Sequence, residues 1–363
     1  MGQPPGLHTP KVLVIGAGLV GSSVAYYLAL AGVRVTLVDR DAQPSRATRA
    51  SLGVLAHAHG RADPLSCFYR DSLALHATLA DQLRQETGID VGWRPVGGID
   101  LAFDEQEAGS LREWIEFNLG RGAQAEWLDE AALREAEPDL SRRGVGGALF
   151  SEDARVDPVR LGQALVTGAS ARGALLCLNT TVTGLTPRSD GVECEFAGAG
   201  GESTETFDAA VVTAGSWSGE LNPAIQVRPV RGQSVRLGGM RVGHVVRWDG
   251  RHALPDGDGV QVGATVEEVG FDLSTTEAAG EALTTWCGQV FEPTPVLREI
   301  RAGLRPKPRH GRAVIDAIDA CLFVATGHYK SGVLMAPLTG QVVSRWILEG
   351  DPGRDMSPFT IKR

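Results

Sequence analysis

The sequence predicts an α/β protein: a Rossmann-like dinucleotide domain interrupted twice by a second, β-rich α+β domain. Three observations carry this. Residues 11–39 run strand, glycine turn, helix, strand and terminal acid, the order that a dinucleotide site needs. The stretches 93–149 and 228–269 change to short apolar runs of strand type separated by polar segments. Residues 321–327 then form a buried-strand run ending in glycine, with a helical pattern over 334–348.

The first unit explains itself residue by residue. Residues 12–15 are apolar, and Gly16, Gly18 and Gly21 follow in G-x-G-x-x-G spacing. Gly16 permits a tight turn, Gly18 lets backbone approach a pyrophosphate, and Gly21 lets helix and strand pack closely. The helix over 22–31 offers its free N–H groups and positive end to phosphates. A second strand, 35–38, ends on Asp39, where a carboxylate accepts from a ribose 2′-OH and disfavours a 2′-phosphate. This fingerprint predicts an adenine dinucleotide and leaves NAD and FAD both open.

Residues 40–60 read as a loop rich in Arg, Ser, Thr, Ala and Gly, and 66–87 as a helix carrying Leu73, Leu75, Leu79 and Leu83. Residues 97–103 look like a strand, 105–119 like a charged helix, and 129–140 like a further segment of the second domain. A helix begins near Pro158 and runs to about Arg172, followed by strand-like 174–178, 181–185 and 191–196, glycine-rich 198–201, and a buried strand over 209–213. Residues 234–237, 245–248 and 260–263 read as strands, and 274–290 as a polar helix. The dinucleotide domain is expected on 1–90, 150–222 and 300–363, and the second domain on 91–149 and 223–299.

Bulk properties narrow the function. At 363 residues the chain suits about two domains. A formal net charge of −9 argues against a general nucleic-acid surface and an anionic-membrane anchor, while small anionic substrates respond to local charge. No stretch approaches the roughly 20 apolar residues of a membrane span. Residues 1–10 lack a secretory pattern and are read as a disordered leader. The five cysteines are scattered without a C-x-x-C, which fits reduced thiols in a cytoplasm and no metal site. His57 and His59 have no third ligand nearby and read as an ordinary polar loop.

Later segments bring in a resemblance. The run Val211-Val-Thr-Ala-Gly-Ser-Trp-Ser218 resembles the strand and turn by which D-amino acid oxidase-like flavoproteins return to their FAD domain. Arg228-Pro-Val-Arg-Gly-Gln233 resembles their re-entry into the substrate domain. Residues 263–272, Ala302-Gly-Leu-Arg-Pro306 and 325–340 resemble the glycine oxidase branch, known from thiamine biosynthesis. The similarity runs nearly end to end. It implies a two-domain flavoprotein with FAD along the Rossmann-like domain and a β-rich substrate domain. Together with the fingerprint glycines, it puts Leu19, Val20, Asp39, Arg40, Ala47, Thr48, Leu52, Gly53, Val54, Gly215 and Gly303 along the cofactor. Val182 would meet the adenine end through its backbone, and His328, Tyr329, Lys330, Ser331, Gly332, Val333 and Leu334 would lie beside the flavin. A helix starting near Leu334 would turn its positive end towards the ring, stabilising the negative charge of reduced flavin. Sarcosine oxidase-type relatives attach flavin to a cysteine soon after the stretch matching 303–306. None precedes Cys321 here, so non-covalent FAD is expected.

The implied chemistry is oxidation of a small amino acid (glycine, N-methylglycine or a D-amino acid) to an imine, with O2 reduced to H2O2. Arg305 occupies the position that grips the substrate carboxylate, and a planar guanidinium suits a bidentate contact. Lys330 stands where the branch carries arginine, and His252 where it carries a tyrosine near the substrate. Val266 replaces a bulky apolar residue, and residues 307–313 and Asp256 depart from the branch pattern. A pathway-specific amino acid or amine oxidase or dehydrogenase of natural-product metabolism therefore stays open beside the glycine oxidase reading. An NAD-dependent dehydrogenase leaves 325–340 unexplained, and a non-catalytic FAD carrier leaves Arg305 and Lys330 unexplained. A cytoplasmic enzyme is expected, either a single chain or a homo-oligomer.

Overall fold

A computed structural model describes residues 9–42, 46–56 and 63–361. The first sheet has the strand order Val314–Ala317, Leu322–Thr326, Ala209–Val212, Lys11–Ile15, Arg34–Val38, Leu175–Cys177. Every neighbouring pair is parallel except the first. Val12 and Val14 pack into a core with the helices Leu19–Leu30, Pro64–Thr87, Pro158–Ser170 and Gly332–Glu349. Leu13 and Ile15 face the opposite way, towards the antiparallel sheet Thr180–Arg188, Gly191–Gly198, Gly201–Phe207. Burial on both faces is why the strand reads as an unbroken apolar run. The glycine-rich 198–201 segment is the turn of a hairpin, with Gly198 paired to Gly201.

The second sheet has eight strands, in the order Val296–Pro308, Val227–Gly238, Gly259–Gly263, Arg251–Asp256, Val245–Trp248, Gly98–Ala102, Gly146–Phe150, Ala125–Asp129. One face packs Val235, Leu237, Val260 and Val262 against Leu283, Trp286 and Val290 of the helix Glu277–Val290.

Some expectations need correction. Val296–Pro308 is one 13-residue strand, a span for which the sequence predicts no element. It pairs along Val227–Gly238, setting Arg305 opposite Val230 and Gly303 opposite Gly232. The expected boundary at 299/300 therefore falls inside a strand, and residues 300–308 belong to the second sheet. Prolines at 306 and 308 and four cations disguise it; the strand lies at the sheet's edge, where proline is tolerated. The 129–140 segment holds the helix Glu130–Ala136, and the 40–60 loop holds the helix Arg46–Arg49 and the strand Val54–Leu55. Of the expected 1–10 leader, residues 1–8 lie outside the described residues, as do His57 and His59, while the Pro10 carbonyl accepts from the Arg34 N–H at 3.0 Å. Among the described residues no helix is long and apolar enough to cross a membrane.

Candidate active site

A cavity of about 810 Å³ opens at the carboxyl ends of the parallel strands and is closed over by the second sheet. Of the residues expected along a cofactor, all but Gly21 border it. A Cβ on Gly21 would come within 1.9 Å of the Gly16 carbonyl oxygen and 2.5 Å of Thr213 Oγ1. Gly21 thus seats the helix on the glycine turn and does not face the cavity. Gly16 has φ +106°, and a Cβ there would press on the Thr213 carbonyl at 2.8 Å. Gly18 differs: a Cβ built on it meets no protein atom within 4 Å, although it borders the cavity. The protein leaves that space open, as backbone contact with a ligand requires.

Helix capping shows what charge the cavity accommodates. The helices starting at Pro64, Glu105, Glu130, Pro158 and Glu277 are each capped by an Asp or Thr side chain. Two longer helices that open onto the cavity, Leu19–Leu30 and Gly332–Glu349, have no cap from their own N-cap side chain and no acid in the first turn, and Thr48 Oγ1 accepts from the Leu19 N–H at 3.3 Å. Both offer N–H groups and a positive end to a ligand. Asp39 Oδ2 accepts from the Ala17 N–H at 2.8 Å and Oδ1 from the Asp41 N–H at 2.9 Å, which braces the glycine turn. Burial pushes its carboxyl above the usual carboxylate range, against the pull of those two donors.

Arg305 enters from the second sheet. Among the described residues its hydrogen bond is from Nη1 to the Thr265 carbonyl oxygen at 2.9 Å, and no carboxylate forms an ion pair with it. Burial is the main cause lowering its pKa; Tyr329 and Glu267 act the other way. Glu267 is engaged elsewhere, 2.6 Å from Arg231 and 2.5 Å from Thr265 Oγ1. A desolvated guanidinium without an anionic partner is costly unless a ligand supplies one. Lys330 stands at the mouth of the cavity; its pKa is lowered by partial burial and by repulsion from Arg305 and Lys307. His252 lies opposite Arg247 in the strand register, and burial pushes its pKa down to about 4 with Arg247 adding to the shift. It is neutral at working pH.

Sequence reasoning missed two features. Gly232 borders the cavity, and a Cβ there would lie 2.1 Å from Arg305 Nη1, so the missing side chain makes room for the guanidinium. That role becomes visible only once the pairing of the two strands is known. Trp217 stacks under the Arg40 guanidinium at 4.0 Å from its ring centroid, also at the cavity wall. Its place in the 211–218 run was the available signal.

His76 and His328 are buried and His252 is half-buried, and all three have pKa values lowered from 6.5 to about 4, chiefly by desolvation. In the unfolded chain each takes up a proton near 6.5, so the stability is present above that pH and is lost on acidification towards 4. On the order of 1–2 kcal/mol per histidine should be gone by pH 5. Thermal unfolding between pH 7.5 and 5 is expected to show a steadily falling Tm; a constant Tm would contradict burial of these rings in the neutral form.

Comparison with known proteins agrees with this fold. The profile of the family described as DAO, FAD dependent oxidoreductase, matches residues 11–346. The glycine oxidase of Geobacillus kaustophilus is 28% identical, with 98% of this chain and 97% of that protein covered. Its crystal structure superposes with a TM-score of 0.90, covering 98% and 99% of the two chains. The hydrogen cyanide synthase subunit HcnC of Pseudomonas aeruginosa is 29% identical over 98% of this chain and 96% of its own. The structure of iminodiacetate oxidase from Chelativorans sp. BNC1 is 26% identical with a TM-score of 0.86, covering 96% and 98%.

Proposed function

Because the chain belongs to the DAO family of FAD-dependent oxidoreductases, we propose that it oxidises a small amino acid (glycine, N-methylglycine or a D-amino acid) to the imine. FAD, when bound, would supply the hydride acceptor, and O2 would take up the electrons as H2O2. The residues do the rest. The open N-terminus of Leu19–Leu30 and the bare backbone at Gly18 hold the pyrophosphate, and Asp39 takes the ribose. The uncapped start of Gly332–Glu349, with residues 328–331 before it, meets the flavin ring. Arg305 takes the substrate carboxylate in its fork and so orients the α-carbon. Lys330 adds positive charge at the mouth, and neutral His252 lines the pocket without acting as an acid.

The observation that carries this reading is Arg305: a half-buried guanidinium with no carboxylate partner among the described residues, in one cavity with two helix starts that have no cap from their own N-cap side chain. Purified enzyme incubated in air with glycine, N-methylglycine and D-amino acids should release H2O2 and ammonia, or methylamine, in equal amounts. Imine hydrolysis accounts for the nitrogen and reoxidation by O2 for the peroxide. Oxidation that proceeds with an artificial acceptor but forms no H2O2 would convert the proposal to a dehydrogenase. Turnover should rise with pH as the bound amine loses its proton, because hydride leaves more readily from a neutral amine. His252 is already neutral and should add no inflection above pH 5. A flat profile from pH 6 to 10, with chemistry limiting, would contradict hydride loss from the free amine.

Two further outcomes follow from particular residues. No cysteine among the described residues borders the cavity, and Cys321 is buried with Sγ 3.2 Å from the Gly191 carbonyl oxygen. FAD should therefore leave with the supernatant on acid precipitation, and a yellow pellet would contradict this. Gly232→Ala should push the Arg305 guanidinium aside, with a loss of about tenfold to a hundredfold in kcat/KM at normal FAD content. Unchanged kcat/KM would show that the orientation of Arg305 is immaterial.

A further inference from the structure

The helix Gly332–Glu349 contains Pro337 in its second turn. Proline has no N–H, so the Val333 carbonyl loses its partner four residues on. On the facing helix, Pro64–Thr87, His76 is 2% exposed and places Nε2 3.0 Å from the Leu334 carbonyl oxygen. A carbonyl only accepts, so Nε2 carries the proton. A side chain from a neighbouring helix thus ties down the turn that Pro337 weakens, one carbonyl beyond the one it leaves without a partner. Val333 and Leu334 border the cavity, as does Tyr69, two turns before His76 on the same helix.

The geometry points to His76 as a positioning residue for the flavin: it holds the first turn of Gly332–Glu349, opened by Pro337, so that its N–H groups stay aimed into the cavity and favour the reduced ring. This rests on the reading that the flavin lies beside residues 328–334. His76 itself lies behind the helix and does not border the cavity. It acts only through the backbone it grips.

The test is the midpoint potential of bound FAD in the holoenzyme, measured by equilibration with a reference dye. His76→Phe keeps the volume and removes the donor. It should lower the ratio of reduced to oxidised flavin at fixed potential by about threefold to tenfold, a drop of about 15–30 mV for a two-electron couple. His76→Gln, which returns an N–H donor, should recover most of the shift. Pro337→Ala restores the helix's own donor to Val333, so adding His76→Phe in that background should move the potential little. Ser331→Asp puts a carboxylate at the helix start and tests the underlying reading alone. It should lower the potential wherever His76 stands in the argument. A shift with Ser331→Asp but none with His76→Phe would overturn the role of His76. No shift with Ser331→Asp would remove the flavin from this helix. If His76→Phe yields no folded holoenzyme, the double variant against Pro337→Ala decides: equal potentials uphold the proposal, and a full-sized drop or loss of the fold overturns it.

Discussion

Arg305→Ala is expected to lose about 30-fold to several thousand-fold in kcat/KM while keeping its FAD spectrum. Removing one member of a desolvated charge pair costs about 2–5 kcal/mol, and that cost appears directly in kcat/KM. The size follows from the surroundings of Arg305. It is half-buried, its Nη1 hydrogen bond goes to a backbone carbonyl, and Glu267 is committed to Arg231. Among the described residues no acid competes with a substrate for it. Arg305→Lys should recover only part, since an ammonium cannot make the two-pronged contact. Lys330→Ala should cost less, because Lys330 stands exposed at the mouth. Steady-state kinetics of the three variants on one substrate decide the matter. An Arg305→Ala enzyme within about threefold of the parent would mean that the carboxylate is held elsewhere, with Lys330 and His252 the next candidates.

Gly18→Leu is expected to abolish FAD retention and leave the fold intact. Gly18 has φ −68° and ψ 176°, a conformation open to any residue, and its Cβ position meets no protein atom within 4 Å. The leucine would project into the space that the pyrophosphate needs. The other two fingerprint glycines should behave differently. Side chains at Gly16 or Gly21 would strike the Thr213 and Gly16 carbonyls, so those variants should fail by misfolding. Gly18→Leu should instead give a colourless protein with the circular dichroism spectrum of the parent stripped of flavin. Stoichiometric FAD in that variant would refute the assignment of the pyrophosphate to this turn.

Much of this was legible in the chain because local pattern and global role coincide. The glycine turn, the helix after it and Asp39 carry their function in their spacing, and all lie where that spacing puts them. The helix Glu105–Leu119 has the bounds its charge pattern gives. What escaped was set by pairing across long sequence distances. Val296–Pro308 has the composition of a basic loop and becomes a strand only because Val227–Gly238 lies beside it. Gly232 acquires its meaning from the same register, since nothing in its neighbours announces an arginine across the ladder. His76 looks like one polar residue on an amphipathic helix, and its partner carbonyl lies 258 positions away.

The central claim is that an amino acid is oxidised at this cavity, and anaerobic reduction of the bound flavin tests it most directly. Holoenzyme freed of oxygen is mixed in turn with glycine, N-methylglycine, a panel of D-amino acids and their L-counterparts, and absorbance is followed near 450 nm. At least one small amino acid should bleach the band fully at a rate that saturates with concentration, and Arg305→Ala should shift that saturation or slow the bleaching. If none of them bleaches a flavin that dithionite still reduces, the amino acid oxidase reading is contradicted.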